Sequence, residues 1–171
     1  MPSPISITVH CAPHLVRFMV AVYGPQPLQF PRKDNFSMLL NYLLEKESDA
    51  ETTVDPHDEK LEIQLPYFEN KNVLYNYVLT PMKESIFINK IDERFRLSFN
   101  DEMNRATLVG ISKIDSVHLF MDSYNMPEDC IDMLLKSYQR YIKLKRYHRL
   151  SQKNKKISSV KGEYCPAVSP C

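Results

Sequence analysis

TPMKESIFINKIDERFRLSFNDEMNRATLVG, residues 80–110, decides the fold class. Thr80 is a helix N-cap, and Pro81 suits the first helical position, where a missing N–H goes unnoticed. Phe87, Ile88, Ile91, Phe95, Phe99 and Met103 then recur at three- and four-residue intervals, a single apolar stripe on a long helix that Gly110 stops. The adjacent acid pairs Asp92-Glu93 and Asp101-Glu102 diverge by about 100° on such a helix, so neither pair converges on one substrate atom.

Upstream, Ile5 to Cys11 alternates apolar and polar residues and reads as a half-buried strand. Pro13 opens a short helix over His14–Tyr23 that Gly24 closes. Pro25, Pro27 and Pro31 predict an extended, irregular connection. Asp34 or Asn35 caps a helix carrying Phe36, Leu39, Leu40, Leu43 and Leu44. Glu45–Glu59 is acidic and aperiodic, a solvated loop. Leu61-Glu62-Ile63-Gln64-Leu65 alternates and predicts a second strand ended by Pro66, and Val73–Leu79, after an Asn-Lys-Asn turn, is ambiguous between strand and helix, with helix or irregular chain the favoured reading.

Downstream, Ser112 caps a helix with Ile114, Val117, Phe120, Met121 and Tyr124 on one face. Asn125-Met126-Pro127 turns the chain, and the last helix opens at Pro127 or Glu128, where Glu128, Asp129 and Asp132 suit its positive end. The expected fold is mainly α (α+β): a helical domain with two short strands (about 5–11 and 60–65) and a C-terminal helical hairpin. The strands pair with each other or with a second copy of the chain. A single globular domain over 1–150 and a basic, flexible tail over 151–171 complete the expected organisation.

The bulk numbers remove several classes of function. A chain of 171 residues that is 43% hydrophobic can build one real core, so wholesale disorder is excluded. No apolar run approaches the roughly 20 residues of a membrane span, and the first ten residues lack the basic and apolar regions of a signal peptide. The expected compartment is cytoplasmic, where Cys11, Cys130, Cys165 and Cys171 stay reduced. Glycine occurs only at positions 24, 110 and 162, so no phosphate-cradling loop of the P-loop or dinucleotide-binding kind can be built.

The net charge of +1 hides a division. Residues 1–135 carry 12 Lys/Arg and 20 Asp/Glu, a balance of −8. Residues 136–171 carry 10 Lys/Arg and one acid, Glu163, a balance of +9. At about 100° per residue, Ile131, Leu134, Leu135, Tyr138, Tyr141 and Ile142 share one face of the last helix, and Lys136, Arg140 and Lys143 share the opposite one. Past Leu144 the apolar face ends, because Lys145 and Arg149 fall on it. Burying unpaired cations costs several kcal/mol each, so the helix is expected to project from there, charged all round.

Lysine and arginine neutralise phosphates, and exposed aromatic rings stack on bases. The expected nucleic-acid contacts are therefore Lys136, Arg140, Lys143, Lys145, Arg146, Tyr147, Arg149, Lys153, Lys155 and Lys156.

Residues 110–144 follow the plan helix, short turn, helix, and GISKIDSVHLFMDSYNM at 110–126 resembles the first helix and turn of helix-turn-helix DNA-binding proteins. Asn125 stands where that motif has glycine, and Ile131 and Leu134 match its apolar positions. The resemblance implies a DNA-binding regulatory protein. The second helix, however, begins Pro127-Glu128-Asp129, which would turn carboxylates towards the groove. The contact therefore moves to Lys136, Arg140, Lys143 and the tail, with phosphate dominating over base reading.

Catalysis has no recognisable apparatus. In His10-Cys11-Ala12-Pro13-His14, neighbouring strand residues point to opposite faces, so His10 and Cys11 cannot readily share a metal ion. Asp55-Pro-His57-Asp58-Glu59 has ligands for a divalent cation, but an acidic loop of this composition is usually just solvated. Cys165 and Cys171 lack zinc-site spacing, and Cys130 reads as a small core residue. The sequence therefore predicts a non-enzymatic accessory or regulatory protein, with no cofactor, metal, membrane or small-molecule substrate. Its partner is nucleic acid, DNA first, with a homodimer as a further expectation. The alternative is a protein–protein module or assembly subunit whose basic tail docks on an acidic partner.

Overall fold

The structure, a computed structural model, describes residues 5–46, 58–66, 68 and 77–161. Of the acidic loop expected over Glu45–Glu59, residues 47–57 lie outside these residues, as do the Asn-Lys-Asn turn and the Cys165/Cys171 pair; its ends are not loop, because Glu45–Lys46 and Glu59 are drawn into strands by pairing. The chain divides into two units, Met1–Cys130 and Ile131–Cys171.

The first unit is built on a small sheet. Strands β1 (Ser6–Cys11) and β4 (Glu59–Gln64) pair antiparallel, with Ile7 opposite Ile63 and Val9 opposite Leu61. The alternation read in the sequence sends Ile7, Val9, Cys11, Leu61 and Ile63 into the core. The two predicted strands are thus each other's partners within one chain. A third, β2 (Leu28–Gln29), runs parallel to β4 and gives the order β1-β4-β2. It sits in the proline-rich stretch predicted to be irregular. Proline has no N–H for a ladder, and the side chain of Gln26 substitutes: its Oε1 accepts from the Glu62 backbone N–H at 2.8 Å. Leu28 then enters the core fully buried.

Helix α1 (Pro13–Tyr23) ends at Gly24, whose φ of 96° is open to glycine. Helix α2 (Asn35–Leu43) is capped by Asp34, whose carboxylate accepts the Phe36 N–H at 2.7 Å and the Tyr23 hydroxyl at 3.1 Å. A two-residue ribbon of β3 (Glu45–Lys46) and β5 (Tyr77–Val78) follows. At Tyr77–Val78 this corrects the helical or irregular reading, because pairing with β3 overrides weak local preference.

The long helix α3 (Pro81–Leu108) carries Phe87, Ile91, Phe95, Phe99 and Met103 into the core. Its rings meet those of the other helices: Phe36 on Phe87 at 5.7 Å, Phe18 on Phe95 at 5.4 Å and Phe99 on Phe120 at 4.9 Å. Glu84, an acid on this same face, is buried and accepts the His10 backbone N–H at 2.8 Å.

Helix α4 (Lys113–Ser123) is capped by Ser112, as its position predicts, and buries Val117, Phe120 and Met121. Ile114, expected on that face, is 58% exposed; it lies in the first turn beyond the packed stripe. Asn125 adopts φ 49°, the left-handed geometry asparagine tolerates.

The described residues of the second unit form one helix, α5 (Ile131–Lys161). It starts later than Pro127 or Glu128, since Glu128–Cys130 forms a separate 3-10 turn. It also continues through residues 151–161, where the sequence predicts a flexible tail. Lysine and glutamine are good helix formers, and neither glycine nor proline intervenes before Gly162.

Candidate nucleic-acid interface

Among the described side chains of α5, Leu134 and Tyr138 are buried. Ile131, Leu135, Tyr141 and Ile142, from the same predicted apolar face, are half-buried. From Lys143 to Leu150 every described side chain is exposed, with Leu144 at 60%, Tyr147 at 70% and Leu150 at 61%.

The helix brings Lys136, Arg140 and Lys143 onto one line at spacings of four and three residues, all exposed. Tyr147, four residues further, falls on the same line at about 100° per residue. One solvent-facing stripe thus holds three cations and an aromatic ring, spanning about 16 Å at 1.5 Å per residue. Lys145 and Arg146 lie off that stripe and are also exposed. Lys145 shows what happens where the apolar face runs out: its ammonium sits over the Tyr141 ring, 5.5 Å from the centroid, and that ring stacks in turn with Tyr138 at 6.1 Å. Of Arg149, Lys153, Lys155 and Lys156 the structure gives the helical backbone, which continues the same rod.

The two long helices treat their cations differently. On α3, Lys90 pairs with Glu93 at 2.6 Å, Arg96 with Asp92 at 2.6 Å and Arg105 with Glu102 at 3.5 Å. On α5, Asp132 is the only acid in 31 residues. Among the described residues, none of Lys136, Arg140, Lys143, Lys145 and Arg146 forms an ion pair.

Other chemistry-bearing groups are occupied elsewhere. Cys11 is buried, and burial, reinforced by Asp58, Glu84 and Glu59, pushes its thiol up to about 12. His10 lies beside Glu84, with Nδ1 3.6 Å from the carboxylate. His14 packs against Phe95 at 5.2 Å, and burial lowers its pKa against the pull of Asp92. These three residues do not assemble into one cluster; among the described residues no group of three or more His, Cys, Asp or Glu side chains could hold a metal ion.

Cys130, read as a core residue, is only half-buried. In a cleft of about 200 Å3 lined by Tyr23, Asp34, Lys90 and Arg94, Asp34 is bonded to Tyr23, and Lys90 to Glu93. The sequence pointed to the α5 cations through charge at helical spacing. It carried no signal for the Lys145–Tyr141 contact, which depends on ring orientation.

No known protein family, curated protein or solved structure matches this chain. Among the described residues, no helix is long and apolar enough to cross a membrane.

Proposed function

We propose that this chain is a non-enzymatic, nucleic-acid-binding accessory or regulatory protein of the cytoplasm that grips phosphates with α5. The observation that carries the reading is the exposed line Lys136–Arg140–Lys143–Tyr147 on a helix whose cations have no carboxylate partners among the described residues. Cations left in water are available to displace the counterions of a polyanion, a term that dominates non-specific binding. The acids at the start of the last helix, Glu128, Asp129 and Asp132, argue for backbone gripping rather than base reading by that end. The acidic remainder of the chain limits indiscriminate coating of nucleic acid.

The test is fluorescence anisotropy with a labelled DNA duplex across a salt series. Log affinity should fall linearly with log salt. Replacing Lys136, Arg140 and Lys143 together by alanine should flatten that slope by about 2.7, or about 0.9 for each phosphate no longer neutralised. Binding that ignores salt, or a triple variant with an unchanged slope, would reject the reading.

A further inference from the structure

Three cations on one line would suit any anionic surface, but the segment beyond them is more selective. Lys143 and Lys145 are two residues apart, so about 200° separates their directions around the axis. Arg146 takes a third direction, and all three are exposed. A flat surface, or a single strand lying along one side, touches only one of these directions. A partner that engages them together must flank the helix on two sides.

The backbone is helical through Lys161, which makes this segment a rod of defined width. With side chains an α-helix measures about 10–12 Å across. The B-form major groove is about 12 Å wide, walled on both sides by phosphates. The A-form major groove of RNA is deep and too narrow for side chains to read. Leu144 and Leu150 add a second observation, being exposed aliphatic residues on an otherwise basic stretch. In a DNA major groove such side chains meet thymine methyl groups, which RNA lacks at uracil.

We infer that the C-terminal half of α5 lies in the major groove of B-form duplex DNA, with Lys143 and Lys145 reaching the phosphates of opposite strands. This rests on the phosphate-gripping function proposed above and names its substrate: duplex DNA, in preference to duplex RNA or single strands.

The experiment uses the full chain and four probes at one salt concentration: a DNA duplex, an RNA duplex of the same sequence, the single DNA strand, and vesicles containing phosphatidylserine. The DNA duplex should bind at least tenfold more tightly than any other probe. Equal or tighter binding to duplex RNA or to the single strand overturns the groove assignment and leaves phosphate gripping in place. Binding to vesicles alone, or to no probe, overturns both.

A charge-neutral variant separates rod from tail. Leu150→Pro breaks the helix while keeping every cation, and should lower duplex affinity at least tenfold, whereas Leu150→Ala, which keeps the helix and loses only one apolar groove contact, should lower it by clearly less. Parent-like binding by Leu150→Pro rejects the inference. Independently of any variant, the bound protein should protect guanine N7, a major-groove atom, from dimethyl sulfate; a complex without that protection rejects it as well.

Discussion

Cys11 and His14 sit three residues apart at the junction of β1 and α1, and the fold drives both towards the neutral form. Cys11 is buried with three carboxylates contributing, and its thiol is pushed up to about 12. The thiolate is the nucleophile, so at pH 8 only about one thiol in ten thousand is reactive by the four-unit gap. Native protein treated with iodoacetamide should therefore show no labelling at Cys11 by peptide mass spectrometry, with full labelling after unfolding. His14 is lowered from 6.5 by burial first, with Asp92 opposing and Arg96 assisting. Below 6.5 the unfolded chain takes up a proton that the folded one resists. Its contribution to stability is thus intact above that pH, declines as pH falls through 6.5, and levels off once the folded value is passed. Urea midpoints at pH 7.5 and 5.5 should differ more for the parent than for His14→Gln.

Helix α5 is an element under internal repulsion. Lys136/Arg140 and Lys145/Arg149 are like-charged pairs four residues apart, and each such pair destabilises a helix by roughly 0.2–0.5 kcal/mol. A bound polyanion removes that penalty, and cations near the C-terminal end already favour the helix dipole. Adding duplex DNA or inorganic polyphosphate should therefore increase the helical circular-dichroism signal, and the triple variant at Lys136, Arg140 and Lys143 should respond less.

The elements also show what sequence pattern conveys. The stripe from Phe87 to Met103, the alternation in β1 and β4, and the caps Asp34 and Ser112 were all legible, because each is a local rule about period or hydrogen bonding. The short strands β2, β3 and β5 were not. Leu28–Gln29 is a strand only because β4 lies beside it and Gln26 completes the ladder, and Tyr77–Val78 only because Glu45–Lys46 does. The basic stripe was legible as charge at helical spacing. The membership of Tyr147 in it follows from the helix continuing past Leu144, which the expected projecting, charged helix already implied.

At the scale of the whole molecule, the sheet formed by the described residues has three strands, with β1 at one edge. An exposed edge is a template for another strand, and proteins block it with charge, bulges or cover. Here a side chain supplies the block. Glu84 reaches from the buried face of α3 and takes the His10 N–H at 2.8 Å, while β4 pairs with the other side of β1. Glu84→Ala should leave that amide without its acceptor and cost about 1–3 kcal/mol, read as a lower urea midpoint. The second effect is colloidal. With the carboxylate gone, the β1 edge becomes competent to recruit an identical strand from a neighbouring molecule, so light scattering from concentrated Glu84→Ala protein should rise with time while the parent stays clear. If scattering rises as expected, one acid on a helix acts as a chain terminator for sheet growth, a job unrelated to the basic helix at the far end of the sequence.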